Sequence, residues 1–169
     1  MNITTSSPEK RHFPVMLHEV IQTCLESNKD QLIVDCTFGG GGYSKALLKF
    51  SNIKVIALDR DKSAIKRAKN LEKDFPKNFF FCNEKFSNLD KVISKENKPD
   101  IIIFDLGLSS FQLQDYSRGF SFKSNEKIDM QMGLSEISAE DVINTFDELS
   151  LKLIIKILGE EQEAGKIAK

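Results

Sequence analysis

The chain has 169 residues, enough for one domain whose core folds without disulfide or metal staples. Its 24 basic and 25 acidic residues leave a net charge of −1, so a nucleic-acid partner must be held by a local patch. Three scattered cysteines and two histidines favour neither a disulfide framework nor a zinc site, and we expect reduced, mostly buried thiols and no metal. With no apolar leader and no run long enough to span a bilayer, we expect a cytoplasmic protein without a membrane partner.

The first elements follow from apolar spacing. Residues 1–12 predict a flexible tail, and the helical spacing that follows predicts a docking helix with Pro14 in its first turn. Capping residues predict helices after the first two strands, Ser44 for one and Asp61 for the other. Apolar runs predict four strands: Leu32–Cys36, Lys54–Leu58, Phe79–Cys82 and Ile101–Phe104.

Strands and helices therefore alternate four times. This α/β pattern predicts a doubly wound parallel sheet with right-handed crossovers and a ligand site at the carboxyl ends of the strands. A helical face is expected after the third strand, from Leu89, Val92 and Ile93. The fourth strand is continuously apolar, which is typical of a strand buried on both faces of the sheet.

A run of four glycines follows the first strand, within Asp35–Ser44. A phosphate-binding P-loop is excluded because Tyr43, and not a lysine, comes after the last glycine. The dinucleotide fingerprint G-x-G-x-x-G fails too, since Ser44 or Lys45 falls where its third glycine belongs. A strand-end acid followed by G-x-G is the looser arrangement of S-adenosylmethionine-dependent methyltransferases. The alternative is a flexible turn, which would lose much chain entropy on ordering.

Acidic residues stand at or just beyond three strand ends, at Asp35, Asp59 and Asp105. Asp59 lies about twenty residues beyond the glycine loop, where a carboxylate can accept hydrogen bonds from both ribose hydroxyls of an adenosine. The alternative role is a favourable charge at the start of the next helix, which Asp61 already provides. We therefore favour ribose binding for Asp59.

The chain after Asp105 changes character. Apolar residues show no strong periodicity over residues 106–122, which predicts a long ordered loop. Such loops are usually functional. Ser138–Asp141 predicts a capping box, and Ser150 is expected to cap a second helix that ends at Gly159. A third helix is predicted from Glu160.

Six segments in order resemble the bacterial small-subunit ribosomal RNA cytosine-N4 methyltransferase family (MraW, also called RsmH). These segments span most of the chain: 13–19, 35–44, 57–61, 105–113, 118–122 and 129–132. The resemblance implies methyl transfer from S-adenosyl-L-methionine to the amine of a cytidine in the decoding region of 16S rRNA, with the small ribosomal subunit as partner. It also implies a Rossmann-like cofactor domain at 13–117, holding the first four strands of the sheet, and the start of a helical insertion at 118–169.

The resemblance also implies roles for individual residues. Phe86 would pack on the adenine of the cofactor, although a core position is the commoner fate of such a phenylalanine. Gln112 would close the cofactor site with Asp105 near the methyl group, unless it only satisfies loop backbone. The remaining cofactor contacts would be Gly41, Gly42 and Tyr43 on the methionine side and Asp59 on the ribose.

The chemistry of a cytosine amine fits these residue types. The amine is a poor nucleophile, so an enzyme must orient it and stabilise the positive charge that develops. Asp105 is the candidate catalytic residue, although the Asp/Asn-Pro-Pro-aromatic motif of many amine methyltransferases is missing. A base that is splayed out of its stack can be held by cationic side chains on its phosphate and by aromatic rings on its face. The candidates for these roles are Arg118, Phe120, Phe122 and Lys123. Their alternative role is to anchor the loop by buried phenylalanines.

The sequence departs from the family at Phe111, where proline is usual, and at Gln131, where arginine is usual. Family members are also roughly twice as long, so we expect a truncated enzyme that exposes its fourth strand, binds cofactor poorly and self-associates. A homodimer is one option for the full-length enzyme. Two other functions stay open: an NAD-dependent dehydrogenase, and a non-catalytic RNA-binding or assembly module.

Overall fold

The structure, a computed structural model, describes residues 14–25, 29–94 and 96–169. The predicted tail at 1–12 lies outside these residues. Contacts divide the chain into two compact units, between Ser110 and Phe111. The predicted domain boundary after residue 117 stays a prediction.

The described strands form one parallel sheet in the first unit, with the order β3-β2-β1-β4. This is the order of the first half of a doubly wound sheet, so the predicted fold class is confirmed. The bounds agree with the predicted runs to within one residue at each end. They are β1 Gln31–Asp35, β2 Ile53–Leu58, β3 Phe79–Cys82 and β4 Ile101–Ile103.

Helices connect the strands and continue into the second unit. Their bounds are α1 Leu17–Cys24, α2 Gly42–Leu47, α3 Ala64–Asp74, α4 Leu89–Val92, α5 Ser110–Gln114, α6 Ala139–Thr145, α7 Glu148–Ile157 and α8 Ala164–Ile167. Short 3₁₀ helices lie at Phe86–Asn88 and Tyr116–Arg118. Pro14 precedes α1 and does not sit in its first turn, and the third helix of the second unit begins four residues later than the predicted start at Glu160.

One face of the sheet carries the main core. Its central row is Ile33, Val55 and Phe79, which lie side by side on β1, β2 and β3 and are at most 1% exposed. Helices α1, α2 and α3 supply Cys24, Leu47, Ala68 and Leu71 to this core. Each large apolar side chain buried here contributes roughly 1.5–3 kcal/mol relative to full exposure. This face therefore fixes the sheet that positions the strand ends.

The opposite face is covered less completely. Near the strand ends Val34 and Leu58 are buried against side chains of α4, which confirms the predicted helical face. Further along the same face, Phe80 is 51% exposed and Ile102 is 43% exposed. The expectation that β4 is buried on both faces is thus wrong for the described residues. Among them β4 pairs only with β1, so the predicted exposed edge is confirmed.

The cap predicted at Ser44 is also wrong. This serine lies inside α2, fully buried, and its hydroxyl donates a hydrogen bond to Asp35 Oδ2 at 2.6 Å. Gly41 takes the cap position instead. Asp61 is not the cap of α3 either, since Ser63 takes the cap position. Asp61 Oδ1 instead accepts a hydrogen bond from Ser63 N at 2.9 Å, which stabilises the turn that leads into α3.

In the second unit one predicted cap is confirmed and one is not. The Ser138 hydroxyl accepts from Asp141 N at 3.0 Å, and the Asp141 carboxylate accepts from Ser138 N, which completes the predicted capping box. Asp147 and not Ser150 caps α7, because the Asp147 carboxylate accepts from Ser150 N at 2.9 Å.

The cysteines of the described residues are unbridged, as predicted. Cys24 and Cys36 are buried and Cys82 is partly buried. Across the described part of the chain, each helix is too short or too polar to cross a membrane.

Candidate functional site

The glycine loop between β1 and α2 is a tight, specific turn. Gly41 has φ = 75°, and a Cβ placed on it would lie 2.6 Å from the Phe38 ring. Its amide donates a hydrogen bond to Phe38 O at 2.6 Å. Gly39 also has a positive φ, of 51°. A side chain at Gly41 would be disfavoured by conformation and by space, so the loop is not the flexible turn considered as an alternative.

Asp59 holds this loop from the end of β2. Its Oδ2 accepts a hydrogen bond from Gly39 N at 2.7 Å, and its Oδ1 accepts from Asp61 N at 2.8 Å. Arg67 Nε donates to Gly39 O at 2.9 Å from the other side. Burial raises the pKa of Asp59, while the hydrogen bonds from Asp61 N and Gly39 N lower it. Each carboxylate oxygen has two acceptor sites, so the group retains capacity for ribose hydroxyls.

Asp35 is the buried support beneath the loop. Its Oδ2 accepts from the Ser44 hydroxyl and its Oδ1 from Thr37 N at 3.2 Å, with no part of the residue exposed. Burial raises the pKa of Asp35 to about 6; the two hydrogen bonds lower it, and the charges of Asp59 and Asp105 raise it further. Asp35 thus ties the end of β1 to α2 and does not face solvent.

Asp105 follows β4 and faces the loop. Its amide donates to Thr37 Oγ1 at 2.7 Å, which fixes the backbone of Asp105 against the end of β1. Burial raises the pKa of Tyr43 to about 12, helped by the negative charges of Asp105 and Asp35 nearby. The Asp105 carboxylate therefore lies next to the first turn of α2.

A cleft of about 210 Å³ lies at the carboxyl end of the sheet, beside the glycine loop and Asp105, and its lining does not include Asp35, Asp59 or Phe86. Its lining comes wholly from the first unit: Pro14, Val15, Thr37, Phe38, Gly39, Gly40, Gly42, Tyr43, Asp105, Leu106, Gly107, Leu108 and Ser109. The volume is below the roughly 300–1,000 Å³ of a complete small-molecule pocket, so this cleft fits part of a nucleoside-sized ligand. Its position is the one predicted for ligands of a doubly wound sheet.

A larger cavity of about 520 Å³ opens at the amino ends of the strands. Gln31, Lys54 and Asp100 are among its lining residues, and the glycine loop is not. Ligands of open parallel sheets bind beyond the carboxyl ends of the strands. The smaller cleft is therefore the better candidate site.

Phe86 lies just after β3 and is 44% exposed. Its ring packs edge-to-face on Phe104, with the centroids 5.6 Å apart. The side chain is therefore not the core aromatic considered as an alternative. Phe104 immediately precedes Asp105 in the chain, so the Phe86 ring lies near the carboxyl end of β4.

The remaining predicted site residues belong to the second unit. Gln112 is buried in α5. Arg118 Nη2 donates to Gln131 O at 2.6 Å, and its guanidinium lies 5.2 Å from the centre of the Phe120 ring. Arg118 thus stabilises its own loop, whereas Phe122 and Lys123 are exposed and do not anchor it.

Three supporting residues were not among the predicted site residues. Thr37 connects Asp35 to Asp105 through its backbone and side chain, and Arg67 reaches the loop from α3. Asp35 stands at a strand end, but the sequence does not indicate its structural role. Thr37 lies within the glycine-loop motif 35–44, which is the sequence signal for it, whereas Arg67 carries no local signal.

Residues 9–169 match the model of the MraW methylase family. The curated relatives include proteins named "Ribosomal RNA small subunit methyltransferase H" from Orientia tsutsugamushi and Clostridium botulinum. The first is 42% identical over 158 residues, which cover 94% of this chain and 50% of that protein. The second is 42% identical over 166 residues, which cover 95% of this chain and 53% of that protein. The chain thus spans about half the length of the curated relatives it matches.

A solved structure of an rRNA methylase from Streptococcus thermophilus is also similar. It is 25% identical, with a TM-score of 0.47, and the match covers 60% of this chain and 58% of that one. The match to the family model spans nearly the whole chain and agrees with the resemblance found in the six sequence segments. The chain belongs to the MraW methylase family.

Proposed function

We propose that this chain is the cofactor-binding portion of an S-adenosylmethionine-dependent methyltransferase that modifies the N4 amine of a cytidine in 16S rRNA. The observation that carries the proposal is the hydrogen bond from Gly39 N to Asp59 Oδ2 at 2.7 Å, which joins the glycine loop to a strand-end carboxylate. The relatives named as small-subunit rRNA methyltransferases supply the substrate class. The activity is proposed for the cytoplasm, where ribosomal subunits are found.

Groups in the cleft and beside it suit an adenosyl ligand, and Asp59 adjoins the cleft through its bond to Gly39. Asp59 would accept hydrogen bonds from the ribose hydroxyls, and the exposed ring of Phe86 would stack on the adenine. The turn at Gly41 and Gly42 lets a ligand lie close to the backbone on its methionine side, beside Tyr43. When bound, the cofactor supplies an electrophilic methyl group on a sulfonium.

Asp105 is proposed to act on the methyl acceptor. Its backbone amide is held by Thr37, and the residue lines the cleft. A carboxylate there can accept a hydrogen bond from the cytosine amine, orient it and stabilise the positive charge that develops on nitrogen. This role is additional to closing the cofactor site.

The second unit is proposed to contact the RNA. A base must be splayed out of its stack to be methylated on an exocyclic amine. Phe122 and Lys123 are exposed and supply an aromatic face and a cation, while Arg118 and Phe120 form a packed pair beside them in sequence. Substituting Lys123 should therefore affect binding of RNA and not of cofactor.

The proposed cofactor is tested by titrating the chain with S-adenosylhomocysteine and, separately, with NADH in a calorimeter. We expect S-adenosylhomocysteine to bind, with the low affinity expected of this chain alone, and NADH not to bind. Asp59→Ala should lower the affinity for S-adenosylhomocysteine more than tenfold, because it removes the carboxylate that accepts from the ribose hydroxyls and supports the loop. Asp90→Asn, which alters an exposed carboxylate on α4, is the matched control. Preferential binding of NADH would favour the dehydrogenase instead.

The proposed reaction is tested with unmethylated small ribosomal subunits and S-adenosylmethionine labelled in the methyl group. After digestion to nucleosides, label in N4-methylcytidine supports the proposal. Label in a different nucleoside would contradict the assignment to the cytosine amine. Intact S-adenosylhomocysteine binding with no label in RNA would favour the non-catalytic RNA-binding module.

A further inference from the structure

The segment Pro14–Met16 belongs to the first family motif and lies against the glycine loop. Both Pro14 and Val15 line the cleft together with Asp105 and the glycine loop. The segment therefore forms one wall of the candidate site, although it is far from the loop in sequence.

Tyr43 holds this wall directly. Its hydroxyl donates a hydrogen bond to Val15 O at 2.5 Å, across 28 positions of the chain. The tyrosine is 6% exposed, whereas Val15 is 65% exposed. Because the buried ring belongs to the first turn of α2, the hydroxyl connects a rigid element to an exposed segment.

Gly42 provides the space for the same contact. A Cβ on Gly42 would lie 2.9 Å from Cδ of Pro14 and nearer still to its Cγ, closer than real Cβ contacts allow. The proline ring thus lies against the bare backbone of the glycine loop. Glycine is needed at position 42 for this packing, and any side chain there would displace Pro14.

The segment also has an unusual backbone. Met16 has φ = 50° and ψ = 34°, in the left-handed region that residues with side chains rarely adopt. It directly precedes α1, and its carbonyl accepts a hydrogen bond from Val20 N at 3.0 Å. Such a conformation persists only where surrounding contacts impose it, and the contacts at Pro14 and Val15 are suited to do so.

We infer that Tyr43 is a positioning residue that fastens Pro14–Met16 as the wall of the cofactor site at its methionine end. The inference rests on the proposed function, in which Gly42 and Tyr43 face the methionine side and Asp59 the ribose. Fastened there, the wall restricts water and orients the amino-acid end of the cofactor next to Asp105. The adenosine end does not depend on it.

The test uses Tyr43→Phe, which keeps the ring and removes the hydroxyl. Without ligand, hydrogen exchange of the peptide covering residues 14–25 should become faster, because the bond to Val15 O is lost. With ligand, affinity for S-adenosylhomocysteine should fall about threefold to tenfold, the effect of one lost hydrogen bond. Affinity for 5′-methylthioadenosine, which lacks the amino-acid end, should stay within about twofold.

Gly42→Ala is a second variant that displaces Pro14 without touching the hydroxyl, and it should give the same pattern. The chain offers a matched control for each substitution. Tyr116→Phe alters the one other tyrosine, which lies in the second unit. Gly165→Ala adds a Cβ whose nearest contact, with Lys152, is an ordinary 3.5 Å. Neither control should change exchange or affinity.

Unchanged exchange in Tyr43→Phe would overturn the inference, because the hydroxyl would then not hold the segment. Faster exchange with unchanged affinity for S-adenosylhomocysteine would also overturn it, because the wall would not matter to the ligand. Equal losses of affinity for the two ligands would show that the whole site is disturbed, and this would count against a role at the methionine end. If the unsubstituted chain binds neither ligand, the proposed function fails and the ligand part of the inference fails with it, while the exchange result still decides the contact.

Discussion

Asp35 shows how a single buried charge can support a site at a cost to stability. Burial raises the pKa of its carboxyl to about 6, so the folded chain binds a proton there more tightly than the unfolded chain does. The free energy of unfolding therefore falls as pH rises from about 4 to about 6 and then levels off. From the change in the Asp35 pKa alone, the free energy of unfolding at neutral pH is lower than at acid pH by about 3 kcal/mol at most.

Asp35→Asn tests this directly. The amide can still accept from Thr37 N and can donate to the Ser44 hydroxyl, so the fold should persist without the buried charge. Relative to the unsubstituted chain, the variant should gain stability between pH 4 and pH 6, as measured by urea unfolding at several pH values. Asp90→Asn should show no such pH-dependent gain. If the variant instead loses stability relative to the unsubstituted chain as pH rises, the two hydrogen bonds must lower the pKa of Asp35 by more than burial raises it.

Gly41→Ala should destabilise the chain and weaken the cofactor site. The added Cβ meets the Phe38 ring at 2.6 Å, and φ = 75° is unfavourable for alanine. We expect a loss of about 2 kcal/mol in the free energy of unfolding. Urea unfolding measures this, with Gly165→Ala as the control, whose added Cβ makes ordinary contacts. An unchanged unfolding midpoint would show that the loop is loosely held.

At the scale of elements, α6 begins with a capping box that the sequence predicts and the structure contains. Ser138→Ala should cost about 1 kcal/mol of local stability, because the hydroxyl that accepts from Asp141 N is lost. Hydrogen exchange of the α6 amides is the appropriate measurement. Ser51→Ala, at an exposed position outside the helices, is the control. Equal exchange in the two variants would contradict the role of the cap.

The strands were predictable because each is a short apolar run next to turn residues, and their bounds changed by one residue at most. The caps were predictable only where no distant partner competes. Ser44 has the right side chain for a cap, but the buried carboxylate of Asp35 takes its hydroxyl. At α7 both Asp147 and Ser150 can bond across the first turn, and sequence does not say which one accepts. Local pattern thus predicts an element better than it predicts its first residue.

At the scale of the whole molecule, the incompletely covered sheet face has a measurable consequence. Phe80, Ile56, Val34 and Ile102 lie in one row across that face, and the two outer residues are about half exposed. We expect concentration-dependent self-association in sedimentation velocity experiments, since such a face and an open strand edge favour pairing. Ile102→Lys should reduce self-association, and Ile102→Val should not. A monomer at all concentrations would contradict this prediction.

The contacts that assemble the site join distant parts of the chain, which is why sequence predicted its members better than its geometry. Asp59 and the glycine loop were predicted from spacing, and the structure connects them. The bond from Tyr43 to Val15 and the bond from Asp105 N to Thr37 span 28 and 68 positions and leave no periodic trace. A family motif indicates that such residues matter, whereas only coordinates show what they touch.

Gly39 donates a hydrogen bond to Asp59 and accepts one from Arg67, and this pair of bonds has a kinetic consequence. Since the loop is already shaped by protein groups, an incoming nucleoside does not have to wait for a slow rearrangement. Stopped-flow mixing should give one exponential phase whose observed rate constant rises linearly with ligand concentration. A rate constant that reaches a plateau would reveal an isomerisation step before or after the encounter.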